Sequence, residues 1–475
     1  MDYSGNTIIA LLKPNTIFSH MREKVFGSEP VLASVIRILL LGATLWQEVY
    51  GIMQLLGFRH SLHHLYPVTG SFYNPGPFGC FLSLTFPLAL AEALHGRPLL
   101  RYLAMAVILL DAILLPISLS RTAWIAAALG SIIIFLPEIT TLFRRRKILL
   151  PLSILALILL SSSLFYLKAN SSHGRLLMWK VAITAVDSRP FSGVGPECVA
   201  GAYGEAQERY FSLPDHTHTP SQAAAQRLQK EILVADAPDF VFNEYLQTAI
   251  AHGWGVALLL ILLLLSAFLT AFSCRNLPIA GCVVAAMTVM MASYPFQFPL
   301  SSAVIALILV TAFLSTTMID IRIIGSVAAM TLLLILCQPV DRMEINQTFG
   351  IGLSLHKAGK WERSNKVLME FLPHTADPMP LNIIGKNWQQ LGHPDSAAYY
   401  LNRAATRCPN RLYPHYLLMK LYADSASFSP SKALREASIL LNMNIKVSSP
   451  ATDDMRGEAR LLINNLTDET NLKDK

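Results

Sequence analysis

Runs of roughly twenty consecutive apolar residues constrain this chain more than any other feature, because a helix needs about that length to cross a hydrocarbon layer. About nine such runs are read, at 31–57, 76–94, 99–118, 122–137, 148–167, 243–272, 278–294, 300–318 and 321–339. The composition agrees. Of 475 residues, 53% are hydrophobic and 15% charged, where ordinary soluble domains carry about 25% charged residues. This excludes a disordered chain, a single soluble enzyme domain and a nucleic-acid binder held by a basic surface. The expected fold is an all-α polytopic membrane protein with no nucleic-acid partner.

Charge sets the expected orientation. Lys and Arg number 38 against 31 Asp and Glu, a formal surplus of +7. With the N-terminus inside, Lys13, Arg22, Lys24, Arg97, Arg101, Arg144, Arg145, Arg146, Lys147, Arg275 and Arg322 all fall in the cytoplasm. The short loops of the other side carry only Arg59 and Arg121. The positive-inside rule therefore fixes the inside and leaves the C-terminus outside. The expected organisation is a cytoplasmic segment 1–30, a membrane domain 31–340 with a large outer loop 168–242, and an outer tail 341–475. The early apolar run Ile8–Leu12, ended by Lys13-Pro14, is too short for a cleavable signal peptide. The six cysteines show no CxxC or paired spacing, so neither a disulfide framework nor a zinc site is expected.

Long connections without helices of their own are uncommon. The loop is expected to hold short helices, with Leu176, Leu177, Trp179, Val181 and Ile183 on a helix lying against the membrane face. In the tail, "LHKAGKWERSNKVLMEFLP" and "WQQLGHPDSAAYYLNRAATRCP" align Gly359 with Gly392, a period of 33 residues, and a weaker copy follows near Ser427. That period fits tetratricopeptide-like helix pairs, with an ordinary helical bundle as the alternative. Either reading suggests a module that docks a protein partner.

Three segments on the expected outer face could carry chemistry. "TGSFYNPGPFG", Thr69–Gly79, concentrates Gly and Pro around Asn74 and Gly76. Irregular backbone at a membrane edge is tolerated where it is buried or lines a cavity, though it could also be a rigid turn. "SLSRTAW", Ser118–Trp124, places Arg121 between two apolar spans. An arginine at that depth pairs with something, serves function, or snorkels to the interface. The third segment runs from Arg175, through a turn of Pro190, Gly193, Gly195 and Pro196, to Asn243 and Glu244 at the mouth of the sixth span. Those last two polar residues could also be simple helix caps. His60, His63, His64, His216 and His218 lack a further cluster with ligand spacing, so no metal site is expected. Without a Walker loop, GxGxxG, HExxH or GxSxG, an ATP-driven pump and a serine hydrolase are disfavoured.

Taken in order, "GSFYNPGPFG", "SRTAW", "GRLLMWKVAI…PFSGVG" and "NEYLQTAIAHGWGV" resemble the O-antigen ligase and polymerase family of bacterial envelope glycosyltransferases, over approximately residues 31–318. The resemblance implies a glycan carried on undecaprenyl diphosphate at the periplasmic face of the bacterial inner membrane. It implies transfer to lipid A core, to a growing polysaccharide or to a protein hydroxyl, with no metal or nucleotide cofactor. The family's two functional arginines fall on Arg121 and Arg175, both directed to the same diphosphate. A guanidinium suits that role, since its planar fork of donors matches phosphate oxygens and its fixed charge stabilises a leaving diphosphate.

The chain departs from the family where relatives often carry His-Asn, the histidine serving as the base that activates the acceptor. Here the pair is Phe242-Asn243, and phenylalanine takes no proton. Glu244, Asp239, Asp236 or an outer histidine replaces it, or the acceptor differs, or this copy is inactive; Glu244, directly after Asn243, is the first choice. Relatives commonly have more spans on the N-terminal side, and some carry a similar tail. Rival readings are a repeat-unit polymerase, a protein O-oligosaccharyltransferase and a non-catalytic envelope scaffold. A transporter should carry ionisable residues at mid-span, for which Asp111 is the clear candidate.

Overall fold

The computed structural model describes residues 31–146, 148, 151, 169–212, 222–337, 342–444 and 448–473. The segment 1–30, nearly all of the expected span 148–167, and His216 and His218 lie outside the described residues. Among the described residues the regular structure is helical, with no strand. The chain divides into two compact units: a membrane unit of residues 1–160, 242–245 and 258–338, and a loop–tail unit of residues 161–241, 246–257 and 339–475.

The membrane unit contains α1 (Val31–Leu55), α2 (Pro75–His95), α3 (Pro98–Ile117), α4 (Arg121–Ile134) and α5 (Leu136–Arg145). The loop–tail unit then contributes α6 (Ala169–Val186), α7 (Val199–Phe211) and α8 (Gln222–Val234). Next come α9 (Glu244–His252), α10 (Trp254–Ser273), α11 (Leu277–Ala292), α12 (Pro299–Leu314) and α13 (Ile319–Leu336). By length and composition α1, α2, α3, α10 and α13 can cross a membrane, and α4 with α5 makes a sixth span if a pair bent by 72° counts as one. Helices α11 and α12 are apolar but only 16 residues long, shorter than the expected runs 278–294 and 300–318. The expected run 122–137 ends early because Pro137, just inside α5, is followed by a charged, exposed helix.

Helix α2 is the core of the membrane unit and is buried nearly all round against α3, α4 and α11. Helices α4 and α11 approach backbone to backbone. A Cβ on Gly281 would meet the Gly130 carbonyl oxygen at 2.5 Å, and one on Gly130 would meet that of Gly281 at 2.7 Å. Small residues permit such crossings where lipid supplies no hydrophobic drive.

Helix α1 carries an internal polar stripe. Arg37 pairs with Glu92 of α2 at 3.0 Å, and the Thr44 and Thr85 hydroxyls lie 2.6 Å apart. Glu48 on α1 and Asp111 on α3 are both fully buried and lie within hydrogen-bond reach of each other, an arrangement in which one acid of the pair donates to the other. Asp111 is therefore not alone at mid-span. A single acid inside a long apolar run barely moves a hydropathy average, which hid Glu48.

The loop–tail unit closes with α14 (Arg342–Lys357), α15 (Trp361–Phe371), α16 (Met379–Gln390), α17 (Pro394–Arg407), α18 (Leu412–Ala423), α19 (Pro430–Asn442) and α20 (Pro450–Lys473). Each tail helix packs on the next. Gly359 and Gly392 both take positive φ, 71° and 78°, just beyond helix ends, where an L side chain is disfavoured.

The loop helices do not form a separate layer. Leu177, Val181 and Ala185 of α6 share a core with Tyr203 of α7 and Ile250 of α9. One stripe of α6 is buried here, while Leu176 and Ile183 stay exposed. Helix α7 also packs on the tail. A Cβ on Gly201 would collide with the Pro373 backbone, and the Gln207 amide donates to the Arg407 carbonyl. Glu208 accepts from Arg403 Nε at 2.9 Å and pairs with the buried Arg407. Loop and tail thus share one core.

Candidate active site

In the membrane unit the Gly- and Pro-rich segment is held from both ends. Gln54 Oε1 accepts from the Thr69 and Gly70 amides at 2.9 and 2.8 Å, and Gln47 Oε1 accepts from the Ser71 amide at 3.1 Å. Asn74 then caps α2, its side chain accepting from Gly76 N at 3.1 Å, with Pro75 at the first helical position, where its missing N–H costs nothing. Gly76 has room for a Cβ. The positions that require glycine are Gly70, with φ of 56° and the Phe78 ring 2.5 Å from where a Cβ would sit, and Gly79, where a Cβ would collide with the Ser118 hydroxyl. Thus Gly79 brings α2 against the turn that precedes Arg121.

Arg121 is the first residue of α4 and is half-buried. Ser120 caps that helix through Ala123 N, and Trp124 Nε1 donates to Leu115 O at 2.8 Å, tying the "SRTAW" turn to α3. Leu119, with φ of 49°, makes the reversal.

Residues 242–245 belong to the same unit. Phe242 takes φ of 52° and sets its ring edge-on to Tyr294 at 4.8 Å. Tyr294 continues to Phe298 at 5.7 Å, and Phe298 to Phe72 at 5.1 Å. An aromatic chain therefore links Phe242 to the "GSFYNPGPFG" segment. Phe242 is thus a packing residue.

Asn243 and Glu244 are both buried. The Glu244 carboxyl is hydrogen-bonded by the Phe296 backbone, while its Oε2 is buried without a hydrogen-bond partner among the described residues. Burial pushes this carboxyl from its ordinary 4.5 up to about 8, and the Phe296 contact opposes the shift. Glu244 starts the nine-residue helix α9, outside the candidate span α10.

In the loop–tail unit, Arg175 lies on α6, half-buried, two residues before the buried Leu177. The "PFSGVG" turn clamps the end of α9. Val194 N and Gly195 N each donate at 2.9 Å, to Ile250 O and Ala251 O, and Trp254 N donates to Pro190 O at 2.8 Å. Gly193 (φ 67°) rests on the Ala251 backbone and Gly253 (φ 85°) on the Phe191 backbone, so a Cβ on either would collide. The expected span 243–272 is therefore two helices, broken at Gly253. Apolarity runs through the break, and hydropathy does not sense φ. Gly195 also takes positive φ, 89°, but has open space around it.

The other acids are placed differently. Asp239 is exposed and pairs with Arg342 at 3.4 Å, and Asp236 is exposed and pairs with Arg411 at 3.5 Å. Glu244 alone of the three combines burial with an unused oxygen. Arg121, Asn74, Gly76, Asn243 and Glu244 fall in the membrane unit; Arg175, Gly193, Gly195 and Asp239 fall in the loop–tail unit.

Residues 105–262 match the family model described as O-antigen ligase. This match supports the O-antigen ligase family. It runs from α3 into α10 and contains Arg121, Arg175, Gly193, Gly195, Asp239, Asn243 and Glu244, while Asn74, Gly76 and the tail lie outside it. It is narrower than the expected 31–318. No curated protein and no solved structure matches the chain. Helical spans and an O-antigen-ligase match together support a multi-pass membrane protein that joins or transfers glycans.

Proposed function

We propose that this protein transfers a glycan from undecaprenyl diphosphate to an acceptor hydroxyl at the periplasmic face of the inner membrane. The observation that carries this reading is Glu244: a buried carboxyl with one oxygen fixed by a backbone contact and the other unused, inside the O-antigen-ligase match. In the proposed reaction Glu244 takes the proton of the acceptor hydroxyl and Asn243 orients that hydroxyl. The acceptor oxygen attacks the anomeric carbon as the bond to the diphosphate oxygen breaks, inverting configuration and releasing undecaprenyl diphosphate. Arg121 and Arg175 are the guanidiniums assigned to the departing diphosphate, whose charge they stabilise. The scheme calls on no metal or nucleotide, since the lipid diphosphate is already a good leaving group.

Terminal ligation onto lipid A core is the reading put first, with repeat-unit polymerisation and protein glycosylation as the same chemistry on other acceptors. The tail's helix pairs are proposed to be tetratricopeptide-like and to offer a face to a protein partner. The test is reconstitution: purified full-length protein with lipid-linked oligosaccharide and each acceptor class, assayed for released lipid diphosphate. Release with lipid A core alone supports ligation. No release with any acceptor overturns the transferase.

A further inference from the structure

At the end of α3 opposite Arg121, the membrane unit opens into a cavity of about 810 Å³. The starts of α1, α3, α11 and α13 and the ends of α2 and α12 surround it. Among the described residues four arginines line it, Arg37, Arg97, Arg275 and Arg322, against one carboxylate, Glu92. All belong to the membrane unit, and the sequence charge count puts this end in the cytoplasm.

Two of the four arginines have structural work. Arg37 pairs with Glu92 at 3.0 Å. Arg322 donates to the Thr316 carbonyl and, at 3.2 Å, to that of Leu314, closing the end of α12. Arg97 stands before α3, and its side chain makes no capping hydrogen bond. Arg275 ends α10 with φ of 57°, a position that closing a helix assigns most cheaply to glycine. Helix termination therefore explains neither guanidinium. Because Glu92 is matched by Arg37, the described lining keeps an excess of positive charge, and a concave, low-dielectric wall strengthens its potential.

The rest of the lining is mixed, with Leu100, Ile134 and Leu314 beside Ser34, Thr311 and Ser315. The neighbouring helix faces expose Leu32 and Leu39 on α1 and Ile323 and Ile324 on α13, as faces turned to hydrocarbon do. A fitting ligand pairs a phosphate, matched to planar donor forks, with an alkyl chain that continues along those faces. Basic pockets between transmembrane helices recognise lipid headgroups in this way. Ordinary positive-inside charge is placed differently in the same unit: Arg101, Arg144, Arg145 and Arg146 do not line the cavity.

We propose that this cavity holds the phosphate headgroup of an anionic phospholipid, gripped by Arg97 and Arg275. The site lies at the other end of the bundle from Arg121 and does not depend on the proposed transfer reaction.

The test uses the full-length protein in nanodiscs of mixed phosphatidylcholine and phosphatidylglycerol, with the lipids that stay bound on release counted by native mass spectrometry. Wild type should retain phosphatidylglycerol selectively. Arg97→Ala with Arg275→Ala should lower that retention roughly tenfold or more. Arg97→Lys with Arg275→Lys, which keeps the charge, should retain most of it, and Arg101→Ala should match wild type. Equal retention of the two lipids by wild type, or unchanged retention in the double alanine variant, overturns the site. So does an equal loss in Arg101→Ala. Inorganic diphosphate is the second probe: if it stabilises wild type against heat while phosphatidylglycerol does not, the lipid assignment fails and a soluble anion takes its place.

Discussion

Glu208 and Arg407, 199 residues apart in the chain, form a buried ion pair that joins the loop to the tail. Arg403 adds a second guanidinium to the same carboxylate at 2.9 Å. Breaking a buried pair by removing one partner leaves an uncompensated charge, at a cost of about 3–5 kcal/mol. Glu208→Ala should therefore lower thermal stability by that order and expose the loop to protease. Deleting the tail should do the same, so tail deletion cannot separate a scaffold from an enzyme. A Glu208→Ala protein that melts like wild type and resists protease would show that the pair holds nothing together.

Glu244 sets the expected pH dependence. As a general base it must be ionised, so transfer should rise with pH up to about 8 and level off above. Glu244→Gln should remove both the activity and that rising limb. The folded chain holds a proton that an unfolded chain releases between 4.5 and about 8. This contribution to stability is thus full below 4.5 and is lost as pH rises through about 8. Melting curves of wild type and Glu244→Gln across that window measure it directly.

Arg121→Ala and Arg175→Ala should each reduce transfer about 10²-fold or more, the scale on which one electrostatic stabiliser of a transition state acts. Membrane insertion should be intact in both. Lysine at either position keeps the charge but not the planar fork, and an intermediate rate is expected. Wild-type rates in both alanine variants would remove the diphosphate role.

The glycines of the "PFSGVG" and "HGWGV" strings should rank by collision rather than by φ alone. Gly193→Ala and Gly253→Ala place a Cβ against backbone, whereas Gly195→Ala meets only the conformational penalty, on the order of 1 kcal/mol. Limited proteolysis of the three variants reads the order directly, and a Gly195→Ala variant that opens first would invert it.

Phe242→His tests what the aromatic chain replaced. Histidine tolerates positive φ better than most residues, so the variant should fold. Its imidazole should recover part of the transfer lost in Glu244→Gln, with an apparent pKa moved toward that of histidine. A double variant as inactive as Glu244→Gln alone would separate this position from proton transfer.

Much of the helical architecture was legible because apolar runs report span length directly, and the runs at α1, α2, α3 and α13 ended near their true bounds. The break at Gly253 was not legible, since its cause is a backbone contact with Phe191 from another segment. Each glycine string was visible, but their mutual packing was not. Arg121, Arg175, Asn243 and Glu244 stood out as polar groups at apolar boundaries. What separates Glu244 from Asp239 and Asp236 lies in non-local partners, Phe296 in the first case and Arg342 and Arg411 in the others. The pairing of α7 with α17 left no periodic trace at all, because an ion pair sets no spacing along the chain.

The shared core of loop and tail has a consequence for the order of synthesis. Arg407 leaves the ribosome 199 residues after Glu208, about ten to forty seconds later at ordinary elongation rates. Throughout that interval α7 is already made while the helix that covers its glycine face is not. The nascent chain must keep an incomplete half-domain soluble until α17 arrives, so assembly of this unit waits on synthesis of the tail.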